Sequence, residues 1–208
     1  MRPRFVFAVL VAFALLNPVF GAFPMAAQIR TAFTALDVSG NDAISPEEWD
    51  RASFALFHAA DRNGDNFIDA TELAASGIAP DTFVRADTDH DGRLSVAEFM
   101  ALRRAIFHYA DIDHDEYLVF VEFELLIVME RVGWTDRAHA DRIEISELRE
   151  SLAKAFAQLD ADHDGQLPDT EAAYMAPEEF KKFDSNHDGW LSLAEFSAGY
   201  CAALLTGR

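Results

Sequence analysis

One twelve-position pattern of acidic residues recurs six times, and the short intervals between copies leave this chain few ways to fold. The copies begin at Asp37, Asp61, Asp87, Asp111, Asp160 and Asp184, and they end at Glu48, Glu72, Glu98, Glu122, Glu171 and Glu195. The fullest reads Asp87-Thr88-Asp89-His90-Asp91-Gly92-Arg93-Leu94-Ser95-Val96-Ala97-Glu98. Acids stand at positions 1, 3 and 5, glycine at 6, an apolar residue at 8 and glutamate at 12. Position 8 is always apolar: Ile44, Ile68, Leu94, Leu118, Leu167 and Leu191. A lone acid-rich stretch reads as a solvated turn, but six in register exclude coincidence.

This spacing suits a hard divalent cation, Ca²⁺ above all. Alternate residues of a tight loop turn oxygens inward, position 7 offers its backbone carbonyl, and a glutamate at 12 closes the shell with two oxygens. Position 6 needs a sharp turn that glycine makes without a Cβ clash. The expected ligands are Asp37, Ser39, Asn41, Ala43 and Glu48; Asp61, Asn63, Asp65, Phe67 and Glu72; and Asp87, Asp89, Asp91, Arg93 and Glu98. Further along they are Asp111, Asp113, Asp115, Tyr117 and Glu122; Asp160, Asp162, Asp164, Gln166 and Glu171; and Asp184, Asn186, Asp188, Trp190 and Glu195. The loops at Asp87, Asp160 and Asp184 keep glycine at position 6 and rank first. Asn66 takes that place in the Asp61 loop, and asparagine tolerates the left-handed conformation. The Asp111 loop has Glu116 there, and the Asp37 loop is weakest, with Ser39, Asn41 and Asp42 at positions 3, 5 and 6.

Phenylalanine stands four residues before every loop, at Phe33, Phe57, Phe83, Phe107, Phe156 and Phe180. Apolar residues follow most closing glutamates, as at Trp49, Leu73, Phe99, Phe123 and Phe196. Both spacings suit amphipathic helices flanking each loop. In these motifs the chain resembles the EF-hand family, over nearly everything after its N-terminal segment. The resemblance implies an all-α fold, a tandem array of helix-loop-helix units with short connecting helices and short β-bridges between paired loops. It also implies Ca²⁺ as cofactor and adds position 9 to the ligand set, here Asp69, Ser95 and Ser192.

The starts recur every 24 to 26 residues except for one gap of 49, which a seventh, degenerate copy starting at Asp136 divides. It keeps Ile143 and Glu147 at positions 8 and 12 but has Ala138 and Ala140 at 3 and 5, so its metal shell is gone. The chain reads as a duplicated three-loop block, the loops at 37, 61 and 87 recurring at 136, 160 and 184 with the Asp111 loop joining the copies, which gives a first block over 22–125 and a second over 126–208. The first connection in each block is unbroken, Pro46 to Ala60 and Ile145 to Leu159; the second is cut by Pro80 or Pro177. A merged helix of about 15 residues is roughly 22 Å long and sets its two loops at opposite ends. Proline breaks let loops lie side by side, so the Asp61 loop is expected to pair with Asp87, Asp160 with Asp184, and Asp111 with Asp136.

A net charge of −19 from 36 acids against 17 basic residues excludes a nucleic-acid partner, which needs a basic face. Arg2 and Arg4 precede an apolar run from Phe5 to Leu16, the pattern of a signal peptide over 1–21, and imply a secreted or periplasmic protein with no membrane contact after cleavage. The alternative is an uncleaved anchor to Ala27, which Asn17, Pro18 and Pro24 interrupt. The single cysteine, Cys201, can make no internal disulfide and reads as a small buried hydrophobe. The repeats fill the rest of the chain and leave no nucleophile–base constellation, so no enzyme is expected. Structural and buffering binding of calcium ions is the first functional reading. A calcium-responsive adaptor exposing an apolar surface to a protein partner is the second, with Phe120 to Val132 as its surface unless that helix is core.

Overall fold

The computed structural model describes residues 26–76, 80–132 and 145–206; the expected leader and residues 136–144 of the Asp136 loop lie outside the described residues. The order is α1 (Ala26–Leu36), β1 (Ala43–Ile44), α2 (Pro46–Ala60), β2 (Phe67–Ile68), α3 (Ala70–Ser76), α4 (Pro80–Ala86), β3 (Leu94–Ser95), α5 (Val96–Ala110) and β4 (Leu118–Val119). There follow α6 (Phe120–Val132), α7 (Ile145–Leu159), β5 (Gln166–Pro168), α8 (Pro177–Phe183), β6 (Trp190–Ser192) and α9 (Leu193–Thr206). The fold is mostly α, and no helix among the described residues is long and apolar enough to cross a membrane.

Each ion loop is framed by the same local chemistry. The amide of every loop's first aspartate donates to the carbonyl of the phenylalanine four residues back, at 2.8 to 2.9 Å, which ends the incoming helix. All six of those phenylalanine rings are buried. At the loops starting at Asp37, Asp61, Asp87, Asp111 and Asp184 the outgoing helix starts where the loop closes. At α2 and α5 the closing glutamates, Glu48 and Glu98, form capping boxes with Ser45 and Ser95. Pro46 occupies the first helical position of α2, where a missing N–H costs nothing.

The position-8 residues lie opposite one another in three antiparallel bridges: Ile44 with Leu118, Ile68 with Leu94, and Leu167 with Leu191. All six are fully buried. The Asp61–Asp87 and Asp160–Asp184 pairs are as expected. The third is a correction, because the Asp111 loop pairs with the Asp37 loop and not with the one starting at Asp136.

Helix packing explains the correction. On α2 and α5, both unbroken 15-residue helices, Phe57 meets Phe99 with ring centroids 5.5 Å apart, and Trp49 meets Phe107 at 5.8 Å. The late part of each helix thus lies beside the early part of the other, so the two run antiparallel. Once the loops at one end are bridged, the loops at the other end must meet. Trp49 also donates its indole N–H to the Arg103 carbonyl at 2.8 Å, and the Arg103 guanidinium lies over the Trp49 ring at 4.6 Å.

A small core around Phe57, Ile68, Leu73, Phe83, Leu94 and Phe99 serves the Asp61–Asp87 pair. A larger one joins α1 and the Asp37–Asp111 pair to the C-terminal loops. Helix α6 runs through that core with Phe123 and Leu125 to Met129 buried, so it is a core helix. Helix α1 is part of the same body: Ile29, Phe33 and Leu36 are buried, and the Ala26 amide donates to the Ala173 carbonyl at 3.1 Å.

The second proline break differs from the first. Helix α3 precedes the break and Pro80 opens α4, but residues 169–176 form turns and only α8 is helical there. Pro177 holds Ala176 in an extended conformation (φ −67°, ψ 145°). The few residues left are too short for a stable helix. Burial of Tyr174 and Met175 draws the chain into the core instead. Cys201 is half-buried on α9, more exposed than expected.

Candidate metal centres

Among the described residues, four loops bring carboxylates together. One oxygen from each member of Asp61, Asp65 and Glu72 lies within 4.8 Å of the others, and so for Asp87, Asp89 and Glu98, for Asp111, Asp113 and Glu122, and for Asp160, Asp162 and Glu171. The position-1 aspartates are buried throughout. Each accepts backbone N–H groups of its own loop: in the Asp87 loop Oδ1 takes the Asp91 amide at 3.1 Å and Oδ2 the Gly92 amide at 3.0 Å. Asp115 and Asp164 at position 5 likewise accept the amides of Tyr117 and Gln166, at 3.0 and 2.8 Å. The closing glutamate bridges the loop's two ends. Glu122 Oε1 accepts from the Ile112 amide at 2.9 Å and Oε2 from Val119 at 3.0 Å.

The weakest-ranked loop and one of the highest-ranked form no such carboxylate triad among the described residues. In the Asp37 loop, the Ser39 hydroxyl donates to Asp37 Oδ1 at 3.2 Å and the Ser39 amide to Glu48 Oε1 at 2.7 Å, while Asn41 Oδ1 accepts the Ala43 amide. In the Asp184 loop, Asn186 stands at position 3 and donates its side-chain N–H to Asp188 Oδ2 at 3.0 Å. Glu195 still holds the two ends, with Oε1 accepting the Asn186 amide at 3.3 Å and Oε2 the Ser192 amide at 3.1 Å.

The position-9 residues are engaged as helix caps. Asp69 Oδ1 accepts from the Thr71 amide at 2.7 Å, the Thr71 hydroxyl and the Glu72 amide. Ser95 and Ser192 donate their hydroxyls to Glu98 and Glu195 at 2.8 Å and accept the amides of the same glutamates. At position 7, the Phe67 and Arg93 side chains pack on each other, the guanidinium 4.1 Å from the ring centroid, whereas Tyr117 and Trp190 are exposed.

Positions 4 and 6 share a backbone feature that the sequence analysis caught only in part. Position 6 has positive φ in every loop, including non-glycines Asp42 (62°), Asn66 (66°) and Glu116 (70°). Position 4 is also left-handed, at Gly40, Gly64, His90, His114, His163 and His187. Histidine is among the residues enriched in that region, so four of the seven histidines have a conformational reason for their place. The recurrence of Gly40, Gly64 and four histidines at one position was the signal.

The loops suit a divalent cation on two grounds. Glu171 Oε2 is buried without a hydrogen-bond partner among the described residues, beside Asp160 and Asp162. At the Asp111 loop, burial pushes Glu122 up to about 7, with the charges of Asp113 and Asp111 adding to the effect, and burial also raises Asp111. Buried like charges gain most from a cation. At the more exposed loops the backbone N–H of Ser95 helps hold Glu98 at about 2, and that of Ser192 does the same for Glu195.

The EF-hand family model matches four places, residues 55–75, 79–102, 152–167 and 178–199. This chain belongs to the EF-hand family. The matches fall on the loops at Asp61, Asp87, Asp160 and Asp184, and no curated protein matches the chain significantly. EF-hand loops bind Ca²⁺, and this EF-hand protein places acids where such an ion is held.

Proposed function

We propose that the protein works outside the cytoplasm, binding several calcium ions that stabilise its tandem EF-hand fold and buffer the free ion. The observation that carries this reading is the convergence of three carboxylates, two of them buried or half-buried, in each of four loops. Supporting it, a chain of net charge −19 concentrates its repulsion there, so each bound ion removes two charges and favours the compact state. The extracytoplasmic setting rests on the leader-like residues 1–21, and calcium there is abundant enough for modules with dissociation constants of about 10⁻⁴–10⁻³ M. Blocks 22–125 and 126–208 are the units of an internal duplication in this reading.

Positions 1, 3, 5 and 12 supply side-chain oxygens and position 7 its carbonyl, with position 9 acting through its cap or a water. Binding and shape are the whole activity. The adaptor alternative loses its candidate surface, since the core residues of α6 are buried.

Calorimetric titration of residues 22–208 with Ca²⁺ tests this proposal. At least four ions are expected, one fewer in Glu98→Gln and the same number in Glu147→Gln. A protein that binds none, or whose melting curve is unchanged in excess chelator, sinks the structural role.

A further inference from the structure

Behind the ion loops lies a buried polar cluster that ion ligation does not use. Glu124 on α6, Tyr200 on α9 and Tyr174 in the turns after β5 are all at least 98 % buried. The Tyr200 hydroxyl donates to Glu124 Oε1 at 3.0 Å and lies 3.0 Å from the Tyr174 hydroxyl. Glu124 Oε2 has no hydrogen-bond partner among the described residues, so the Tyr200 bond carries the hydrogen bonding of a buried carboxyl there. Such a group is costly to leave unmatched, because a low-dielectric interior strengthens a made bond and penalises a lost one.

Glu124 comes two residues after Glu122, Tyr174 three after Glu171, and Tyr200 five after Glu195. Each therefore lies within five residues of the closing glutamate of a different loop, on the segment that follows it. The Tyr200 ring is held by Phe183 and Phe196, each at 5.2 Å between centroids, so a shift of α9 moves the hydroxyl with it. Helix α6 is likewise clamped in the core, so Glu122 and Glu124 shift together.

We propose that the Glu124–Tyr200–Tyr174 hydrogen-bond cluster couples occupancy of the Asp111 loop to occupancy of the Asp160–Asp184 pair. Closing Glu122 on an ion sets the position of Glu124, and the Tyr200 bond passes that position to the exit segments of the two C-terminal loops. Because coupling is reciprocal, filling the C-terminal pair tightens the Asp111 loop by the same factor. This inference rests on the calcium reading above.

Trp190, exposed at position 7 of the Asp184 loop, gives a local readout, since an indole beside a bound Tb³⁺ sensitises its emission. The emission assigned to this loop is the part lost in Trp190→Phe, and its Ca²⁺ competition midpoint is the measured quantity. Glu122→Gln, which disables the Asp111 loop, should weaken that midpoint about fivefold or more. In a Tyr200→Phe background, which keeps the ring packing and removes the hydroxyl, the same Glu122→Gln change should shift it less than about twofold. Glu124→Leu should uncouple the loops as Tyr200→Phe does, and it serves if the tyrosine variant fails to fold. Glu124→Gln keeps an acceptor and should preserve coupling. Equal shifts in both backgrounds, or no shift in either, overturn the coupling. Absence of Trp190-dependent emission overturns ion binding at the Asp184 loop, and the coupling with it.

Discussion

Ile44 of the first ion loop lies directly opposite Leu118 of the fourth, and both are fully buried. Two loops 74 positions apart in the chain thus share one β-bridge, and the Asp61–Asp87 pair is enclosed between them. The Asp111 loop, where oxygens of Asp111, Asp113 and Glu122 converge, is held in place by the loop poorest in carboxylates. Shortening Ile44 to alanine should therefore cost about 2–5 kcal/mol of stability. It should also weaken ion binding at the Asp111 loop more than at the Asp61–Asp87 pair. Denaturation curves with and without calcium, with titration of the Glu122→Gln and Glu98→Gln variants for site assignment, would check both effects; equal weakening at the two pairs contradicts the bridge.

Glu116 sits at position 6 of the Asp111 loop with φ 70°, where its counterpart Gly92 in the Asp87 loop has 81°. A left-handed residue with a side chain costs about 1–2 kcal/mol. Glycine removes that strain but frees the unfolded chain by about 0.4–1 kcal/mol. Glu116→Gly should therefore raise stability by up to about 1 kcal/mol, read as a higher urea midpoint at unchanged slope. A lower midpoint would show that the carboxylate of Glu116 contributes to the loop.

Gly199 on α9 touches the Phe183 ring so closely that a Cβ there would meet its carbons at 2.3 to 2.6 Å. Gly199 is helical, where alanine is ordinarily preferred, so propensity and packing point in opposite directions. Overpacking should win: Gly199→Ala is expected to destabilise by about 1–3 kcal/mol. Phe183→Leu combined with it should recover part of the loss. A stabilised Gly199→Ala protein in thermal melts would contradict the close approach.

Burial, reinforced by the Glu179 charge, pushes Glu124 up to about 8, and burial pushes Glu122 up to about 7. A carboxyl whose folded pKa exceeds its unfolded value adds stability below about 4.5 that is lost as pH rises through the folded value. In chelator, the melting temperature should therefore fall between pH 5 and 9, by about 5 °C or more. Calcium should suppress the Glu122 part, because its carboxylate then faces a cation. Glu124→Gln should flatten the remainder, and a variant as pH-sensitive as wild type would remove Glu124 from the account. Glu98 and Glu195, held at about 2, act oppositely: their contribution is present above about 4.5 and is lost as pH falls through about 2.

The sequence by itself determined the repeating unit. Twelve-position spacing, the phenylalanine four residues upstream and the apolar position 8 each act within one helix-loop-helix segment, through local turns and one buried side chain, so they can be read in order along the chain. Two bridges were legible for the same reason, since Pro80 and Pro177 bring neighbouring loops side by side. Tertiary structure decided the rest. The Asp37–Asp111 bridge depends on α2 and α5 running antiparallel, a relationship between helices that no spacing records, although it was implicit once Asp61 and Asp87 were paired. The left-handed backbone at His90, His114, His163 and His187 arises from how the loop closes. The meeting of Glu124, Tyr174 and Tyr200 has no sequence signature, because burial of a polar group depends on which three segments the core packs around it.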